Sequence, residues 1–284
     1  MTKKIALIFH QHERKGALPR FAIWHLAEAW KREKITVHFL FGVKEYVEAD
    51  LALLHVDLTE VPREYLEFGR RYPVVLNGRV HGIRKSSFSR QRVFPGDGYK
   101  GKVIVKSDLN YGGEPERKLL GTRFSRTALR ITSRLPFIRP PCRSHKPDLR
   151  SPRDYRVYDS ADCIPEDWFQ DKDIFIEKFL PETDEDLYCL RSYHFLGSQG
   201  ACVLRKSAHP IVGAATSISR EEVDPDPEIV KLARSMQFDF GKFDYVVHEN
   251  RPILLDTNKT PGSGAAPAFF AMCQKWAKGI HDYL

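Results

Sequence analysis

Long apolar runs are missing from this 284-residue sequence. Nothing in it approaches the ~18 consecutive apolar residues that a bilayer-spanning helix needs. Cysteine is sparse. Cys142, Cys163, Cys189, Cys202 and Cys273 are scattered and form no CxxC pair. That spacing excludes the usual zinc and disulfide frameworks and fits reduced thiols, so a cytoplasmic protein is expected. No GxGxxG fingerprint occurs, so no dinucleotide site is expected. Repeats and low-complexity blocks are absent too. The opening MTKKIALIF lacks a small-residue cleavage site and is followed at once by charges, which reads as a buried first strand rather than a signal peptide.

What is present is a globular composition, 42% apolar, with a net charge of +8. That length allows two modest domains with real cores. The positive excess is local: between Glu114 and Arg150, eight Arg and two Lys face three acids, a net +7. Such a run is commonly a solvated loop, but it would also suit a funnel for an acidic substrate. Part of it, 122–135, could form a helix with Phe124, Ala128, Ile131 and Leu135 on one side and arginines elsewhere. Peripheral contact with an anionic membrane is therefore also open.

The chain order starts with a strand at 3–9 and a helix opened by Pro19, with Ile23, Leu26, Ala27 and Trp30 at helical spacing. Strands at 35–41, 50–56 and 73–77 and a short helix near 62–71 follow. Strand–helix–strand order predicts a small parallel α/β domain over about 80 residues. His10, Gln11, His12 and Arg14 would follow its first strand at the carboxyl edge, where open sheets bind ligands, or simply face water. Beyond Gly101, GKVIVKSD, DIFIEKFLPE and the pair DLYCLRSYHFLG and ACVLRKSA read as further strands. A helix near 227–238 and an amphipathic closing helix complete the pattern.

The most informative segment is KFDYVVHENRPILLDTN, from Lys242 to Asn258, followed by KTPGSG. Folded about a three-residue loop, Glu249-Asn250-Arg251, it sets Asp244 opposite Asp256 and Lys242 opposite Asn258. Side chains alternate along a strand, so these four share one face, and Phe243, Tyr245, Val247, Ile253 and Leu255 share the other. A two-residue loop would instead oppose Leu255 to Asp244. Two carboxylates and an amide are hard oxygen ligands that suit Mg²⁺, with Mn²⁺ as an alternative. The neighbouring lysine suits a phosphate. A solvated hairpin face would also carry such residues.

Other candidates are weaker alone. Lys106 ends the apolar VIVK before NYGG, where a cation and loop N–H groups could hold phosphate oxygens. Glu177-Lys178-Phe179-Leu180 could pass along a base, with an acid a few residues on for ribose hydroxyls. Arg191 and Arg205 sit inside apolar strands, which calls for an anion: a structural salt-bridge partner or a catalytic one.

Taken in order, VIVK…GG, IEKFLPE and KFDYVV…LLDTNKTPG resemble the ATP-grasp superfamily across about residues 75–275. The resemblance implies a fold class of α/β and α+β. A small N-terminal parallel α/β domain (1–80) would precede an ATP-grasp fold of two lobes with antiparallel sheets. The small lobe (81–182) would include the basic insert 114–150, and the large lobe (183–284) would hold the metal hairpin. It further implies Mg²⁺ on Asp244, Asp256 and Asn258. Lys242, with one of the strand arginines, Arg191 or Arg205, would steady the transferring phosphate. ATP would meet Lys85 and Lys106, Gly112 and Gly113 in a covering loop, and Glu177, Lys178 and Leu180 at the adenine, the last two through main chain. Glu185 or Asp186 would take the ribose. Two departures from the pattern stand out. Only 21 positions separate Lys85 from Lys106, and Asp256 stands where glutamate is commoner. The implied activity is ATP-dependent ligation: a carboxylate is activated as an acyl phosphate and attacked by an amine. The substrates would be small molecules or peptides, and a homodimer would be in keeping with the family. Nucleic acid is not an expected partner. Kinase-type phosphoryl transfer and a non-catalytic nucleotide- or polyanion-binding role are the alternatives.

Overall fold

The fold comes from a computed structural model that describes residues 2–121, 147–264 and 266–284. The described chain divides into two units, one of 1–83 with 182–284 and the other of 84–181.

In the first unit, β1 (Lys4–Phe9), β2 (Thr36–Phe41), β3 (Leu51–His55) and β4 (Val74–Leu76) pair in parallel in the order β2-β1-β3-β4. Apart from Lys4, β1 and β3 are buried throughout, which is why they read as unbroken apolar runs. The crossover helix α1 (Ala22–Arg32) buries Ala22, Ile23, Leu26, Ala27 and Trp30. The helix starts later than Pro19, which lies inside a preceding 3₁₀ turn, Lys15–Arg20. Phe21 is extended, and the Ala22 N–H donates to the Pro261 carbonyl at 2.9 Å, so the segment after the diagnostic hairpin caps this helix. The short α2 (Arg63–Gly69) leads into β4.

The second unit contains α3 (Lys85–Phe88), β5 (Val103–Ser107), α4 (Glu114–Leu119), β6 (Arg156–Tyr158), α5 (Glu166–Phe169) and β7 (Ile174–Lys178). Its sheet is antiparallel, β6-β5-β7. Val103, Val105, Ile174 and Ile176 face a core with Val93, Ile164 and Trp168. The alternate residues, Ile104, Lys106 and Glu177, are therefore on the other face.

Returning to the first unit, β8 (Glu182–Asp184), β9 (Leu187–Leu196), β10 (Gln199–Ser207), β11 (Ser219–Val223), β12 (Phe240–His248) and β13 (Arg251–Asn258) build an antiparallel sheet. Its order is β11-β10-β9-β12-β13, with β8 also on β9. α6 (Pro227–Ser235) and α7 (Pro267–Ala277) complete the unit. A single core joins the parallel sheet to this one: Leu7, Ile23 and Trp30 lie in the same cluster as Val203, Phe240 and Trp276. Trp30 Nε1 donates to the Ala277 carbonyl at 2.9 Å, so the buried indole of α1 is satisfied by the end of α7. The parallel and antiparallel sheets match the expected α/β and α+β class. The helix expected over 122–135, and with it most of the basic segment, lies outside the described residues. Among the described residues, no helix is long and apolar enough to cross a membrane.

Candidate functional site

The β12–β13 ribbon sets the pairs that the sequence suggested, by a different route. Its loop has two residues, Glu249 and Asn250, both with left-handed φ (48° and 60°), and His248 pairs with Arg251. That turn matches the right-handed strand twist. A regular ladder from it would oppose Asp244 to Leu255. A β-bulge prevents this: Tyr245 pairs with Leu254, Asp244 pairs with Asp256, and Leu255 is the extra residue. The shift also changes the packed face, where Leu254 is buried and Ile253 and Leu255 are only partly covered. Phe243 and Tyr245 are fully buried, as expected.

The polar face of this sheet collects Lys242, Asp244, Asp256 and Asn258, and β9 adds His194 beside Lys242 and Ser192 beside Asp244. Asp244 Oδ1 accepts from Ser192 Oγ at 2.6 Å and Oδ2 from Lys242 Nζ at 2.6 Å. Arg205, on β10, donates from Nη1 to Ser192 Oγ at 2.8 Å. Burial pushes the Asp244 carboxyl up. The charge of Lys242, the hydrogen bonds from Lys242 and Ser192, and Arg205 outweigh this and hold it below its ordinary value. Asp244 therefore stays anionic, with cations already gathered round it. Burial lowers the Arg205 guanidinium, while the Asp244 charge works the other way. His194 is buried and held to about 3, by desolvation first and then by the Lys242 charge, so it is neutral beside the cluster. Asn258 Oδ1 accepts from the Thr260 N–H at 2.7 Å, which fixes the amide at the strand end.

Arg191 is not brought to this group. It pairs across from Tyr245 and so lies on the opposite face, where Nε and Nη2 grip Glu182 at 2.7–3.1 Å. Glu182 also accepts the Val247 N–H at 2.7 Å, so this ion pair ties β8 to β12. Glu185 and Asp186 form the exposed two-residue tip between β8 and β9.

The second unit holds the other candidates. Lys106 Nζ is ion-paired to Glu177 Oε1, and both side chains are buried. Ser89 Oγ donates to the other Glu177 oxygen at 2.9 Å. Lys85 begins α3 and is buried. Tyr111, Gly112 and Gly113 follow one another with φ of 45°, 64° and 74°. Gly112 is pressed on backbone: a Cβ there would lie 2.3 Å from the Leu149 carbonyl oxygen. Its own carbonyl accepts from Arg117 Nη1 at 2.7 Å. The Lys178 N–H donates to the Gln91 carbonyl at 2.9 Å, so that donor is already engaged. A cavity of about 350 Å³ in this unit, lined by Phe94, Tyr99, Ile164 and Phe169 with Asp97 and Glu166, contains none of these residues.

Sequence reasoning missed Ser192, Ser89 and Glu182. The usable signal for Ser192 was its period-two spacing from His194 inside an apolar strand; Ser89 and Glu182 act through register alone. Two carboxylates and an amide oxygen, one carboxylate held anionic and already countered by an ammonium, are a donor set that fits a hard divalent cation. Among the described residues no cluster of three or more His, Cys, Asp or Glu offers an alternative.

No protein-family model matches the sequence, and no curated protein does. Solved structures do match. The ATP-grasp ligase PsnB, complexed with minimal precursor, aligns over 99% of this chain and 100% of its own at TM-score 0.50 and 8% identity. A D-alanine–D-alanine ligase from Bacillus anthracis complexed with ATP aligns over 99% and 96% (TM-score 0.49, 11% identity). A RimK domain ATP-grasp protein from Sphaerobacter thermophilus aligns over 99% and 98% (TM-score 0.49, 11% identity). The chain thus shares the overall fold of the ATP-grasp ligase PsnB.

Proposed function

We propose that this protein is an ATP- and Mg²⁺-dependent ligase that joins a carboxylate to an amine and releases ADP and phosphate. The observation that carries the reading is the bulged ribbon, which sets Asp244 against Asp256 and Lys242 against Asn258 on one sheet face. Asp244, Asp256 and Asn258 would hold the cation. Bound there, Mg²⁺ would neutralise charge on phosphate oxygens.

The carboxylate oxygen of one substrate attacks the γ-phosphorus, the bond to the bridging oxygen breaks, and ADP leaves. The amine nitrogen then attacks the acyl carbon. Phosphate departs with the electrons of the C–O bond, and the nitrogen loses its proton to solvent. Lys242, Arg205 and Lys106 would meet the oxygens on which charge moves, as fixed cations that need no reorganisation. Glu177 and Ser89 hold Lys106 in place, and Lys85, Gly112 and Gly113 would flank the phosphates. Glu177, Lys178 and Leu180 would border the base, and Glu185 or Asp186 the ribose. Arg191 serves the sheet through Glu182 rather than the phosphate. Alignment of reactants supplies the remaining acceleration.

The test is ADP release across a matrix of carboxylates and amines. Release that needs both substrates supports ligation, whereas release with a hydroxyl acceptor alone supports phosphoryl transfer. Asp256→Asn should lower turnover by about 10²–10³-fold. Unchanged turnover in that variant would end both enzymatic readings.

A further inference from the structure

The segment that leaves the ribbon is moored to the carboxyl edge of the parallel sheet. Lys259 and Thr260 follow Asn258 directly and are 1% and 2% exposed. Lys259 Nζ donates to the Leu58 carbonyl, and Thr260 Oγ1 donates to Asp57 Oδ1 at 2.8 Å. Two consecutive side chains thus grip two consecutive residues just past the end of β3. The Pro261 carbonyl accepts the Ala22 N–H at 2.9 Å, and the Ser263 N–H donates to the Arg20 carbonyl at 2.6 Å. Asp57 is steadied from its other side, with Arg20 Nη2 3.8 Å from Oδ2.

These contacts fix the Thr260 backbone, and through it the Asn258 amide. The Thr260 N–H donates to Asn258 Oδ1 at 2.7 Å. An N–H donor can face only the oxygen of an amide, so this bond decides which way round the Asn258 side chain sits. A carbonyl oxygen has two lone pairs, and the second is the one a cation could use. The Thr260 hydroxyl competes for it. Its oxygen lies 3.3 Å from Asn258 Oδ1 but 2.8 Å from Asp57 Oδ1, and it has one proton to give. Asp57 takes that proton and leaves the amide oxygen open. Closing the turn needs only the backbone N–H; the bond to a carboxylate 203 positions earlier in the chain is an addition to it.

We propose that Thr260, anchored by Asp57, is a positioning residue for the candidate cation site. It presents the Asn258 amide oxygen as a ligand, so the N-terminal α/β domain sets the affinity of a site whose ligands all lie on the ribbon. The inference rests on the cation reading of the ribbon given above.

Mn²⁺ binding to the full chain would be read from the electron paramagnetic resonance signal of the free ion, with Mg²⁺ as competitor. Thr260→Val and Thr260→Ala both remove the hydroxyl. Each should weaken binding by roughly 10–100-fold, the usual cost of losing a partner that orients a ligand. Thr260→Ser keeps the donor and should bind much as the wild type does. Asp57→Ala should weaken binding too, and Asp57→Ala/Thr260→Val should cost no more than Thr260→Val alone, because the two groups act in series. Melting temperatures on the same samples separate positioning from support: a purely structural role would lower them and leave the dissociation constant of the folded protein unmoved. Hydroxyl-free variants that bind Mn²⁺ as the wild type does, or additive losses in the double variant, would overturn the proposal. Asp256→Asn tells its failure from that of the cation reading. If Asp256→Asn loses Mn²⁺ while Thr260→Ala keeps it, only the positioning role falls. If the wild type binds no Mn²⁺, or Asp256→Asn binds it unchanged, the cation reading falls and takes the inference with it.

Discussion

His55 offers a prediction with a magnitude. Its ring ends β3 among phenylalanines, with centroids 5.0 Å from Phe9, 4.8 Å from Phe21 and 6.1 Å from Phe240. It is 1% exposed, and neither ring nitrogen has a hydrogen-bond partner in another described residue. Burial, with smaller contributions from the charges of Lys259 and Arg20, holds it to about 3. The unfolded imidazole titrates near 6.5. Below that pH the unfolded chain takes up a proton that the native state refuses, so stability falls with falling pH by about 1.4 kcal/mol per unit, down to about pH 3. Between pH 7 and pH 5 the loss from His55 is about 2 kcal/mol, and His194, also held to about 3, adds a similar amount. His55→Phe, similar in shape and set among rings, should cut the loss over that interval by about 2 kcal/mol. Urea unfolding at the two pH values, followed by tryptophan fluorescence, reads it, because Trp30 and Trp276 are buried in the same unit. Buried carboxyls such as Asp57 and Asp239, raised by desolvation, contribute in the opposite sense. They are common to both proteins and cancel in the difference. Equal pH-dependent losses in variant and wild type would refute the reasoning.

Asn77→Ala should destabilise the first unit by about 2–4 kcal/mol in the same assay, through unsatisfied buried backbone groups. The amide donates to the Phe240 carbonyl (2.8 Å) and accepts from the Asp239 and Phe240 N–H groups (3.0 and 3.2 Å). Lys106→Met leaves Glu177 buried without its counter-charge and should cost the second unit about 3–5 kcal/mol, with Lys106→Met/Glu177→Gln recovering much of it by calorimetry. Gly112→Ala combines a left-handed φ with the clash on Leu149, so its melting temperature should fall well below that of Gly16→Ala, where nothing crowds the new methyl.

Much of the fold was legible because burial writes itself into periodicity. β1 and β3 are central parallel strands, so both faces had to be apolar, and α1 has one apolar stripe because only one side meets the core. Lys106 was legible as a strand-end cation, but its ion pair with Glu177 depends on the β5–β7 register, which no local pattern states. Arg191 and Arg205 look alike in sequence. One residue of parity along paired strands sends the first to Glu182 and the second toward Asp244.

The sequence by itself determined the inventory of the ribbon: two acids, an amide and a lysine, with aromatic residues between them, because side-chain alternation is a property of any extended strand. Only the tertiary structure decided how they meet. The two-residue turn alone would have misaligned Asp244 and Asp256. The bulge at Leu255 corrects the register, because β12 is held by β9 on its other edge and Phe243 and Tyr245 cannot leave the core. Long-range packing outweighs the turn's preference, and so residues distant in sequence choose the partners of a local hairpin.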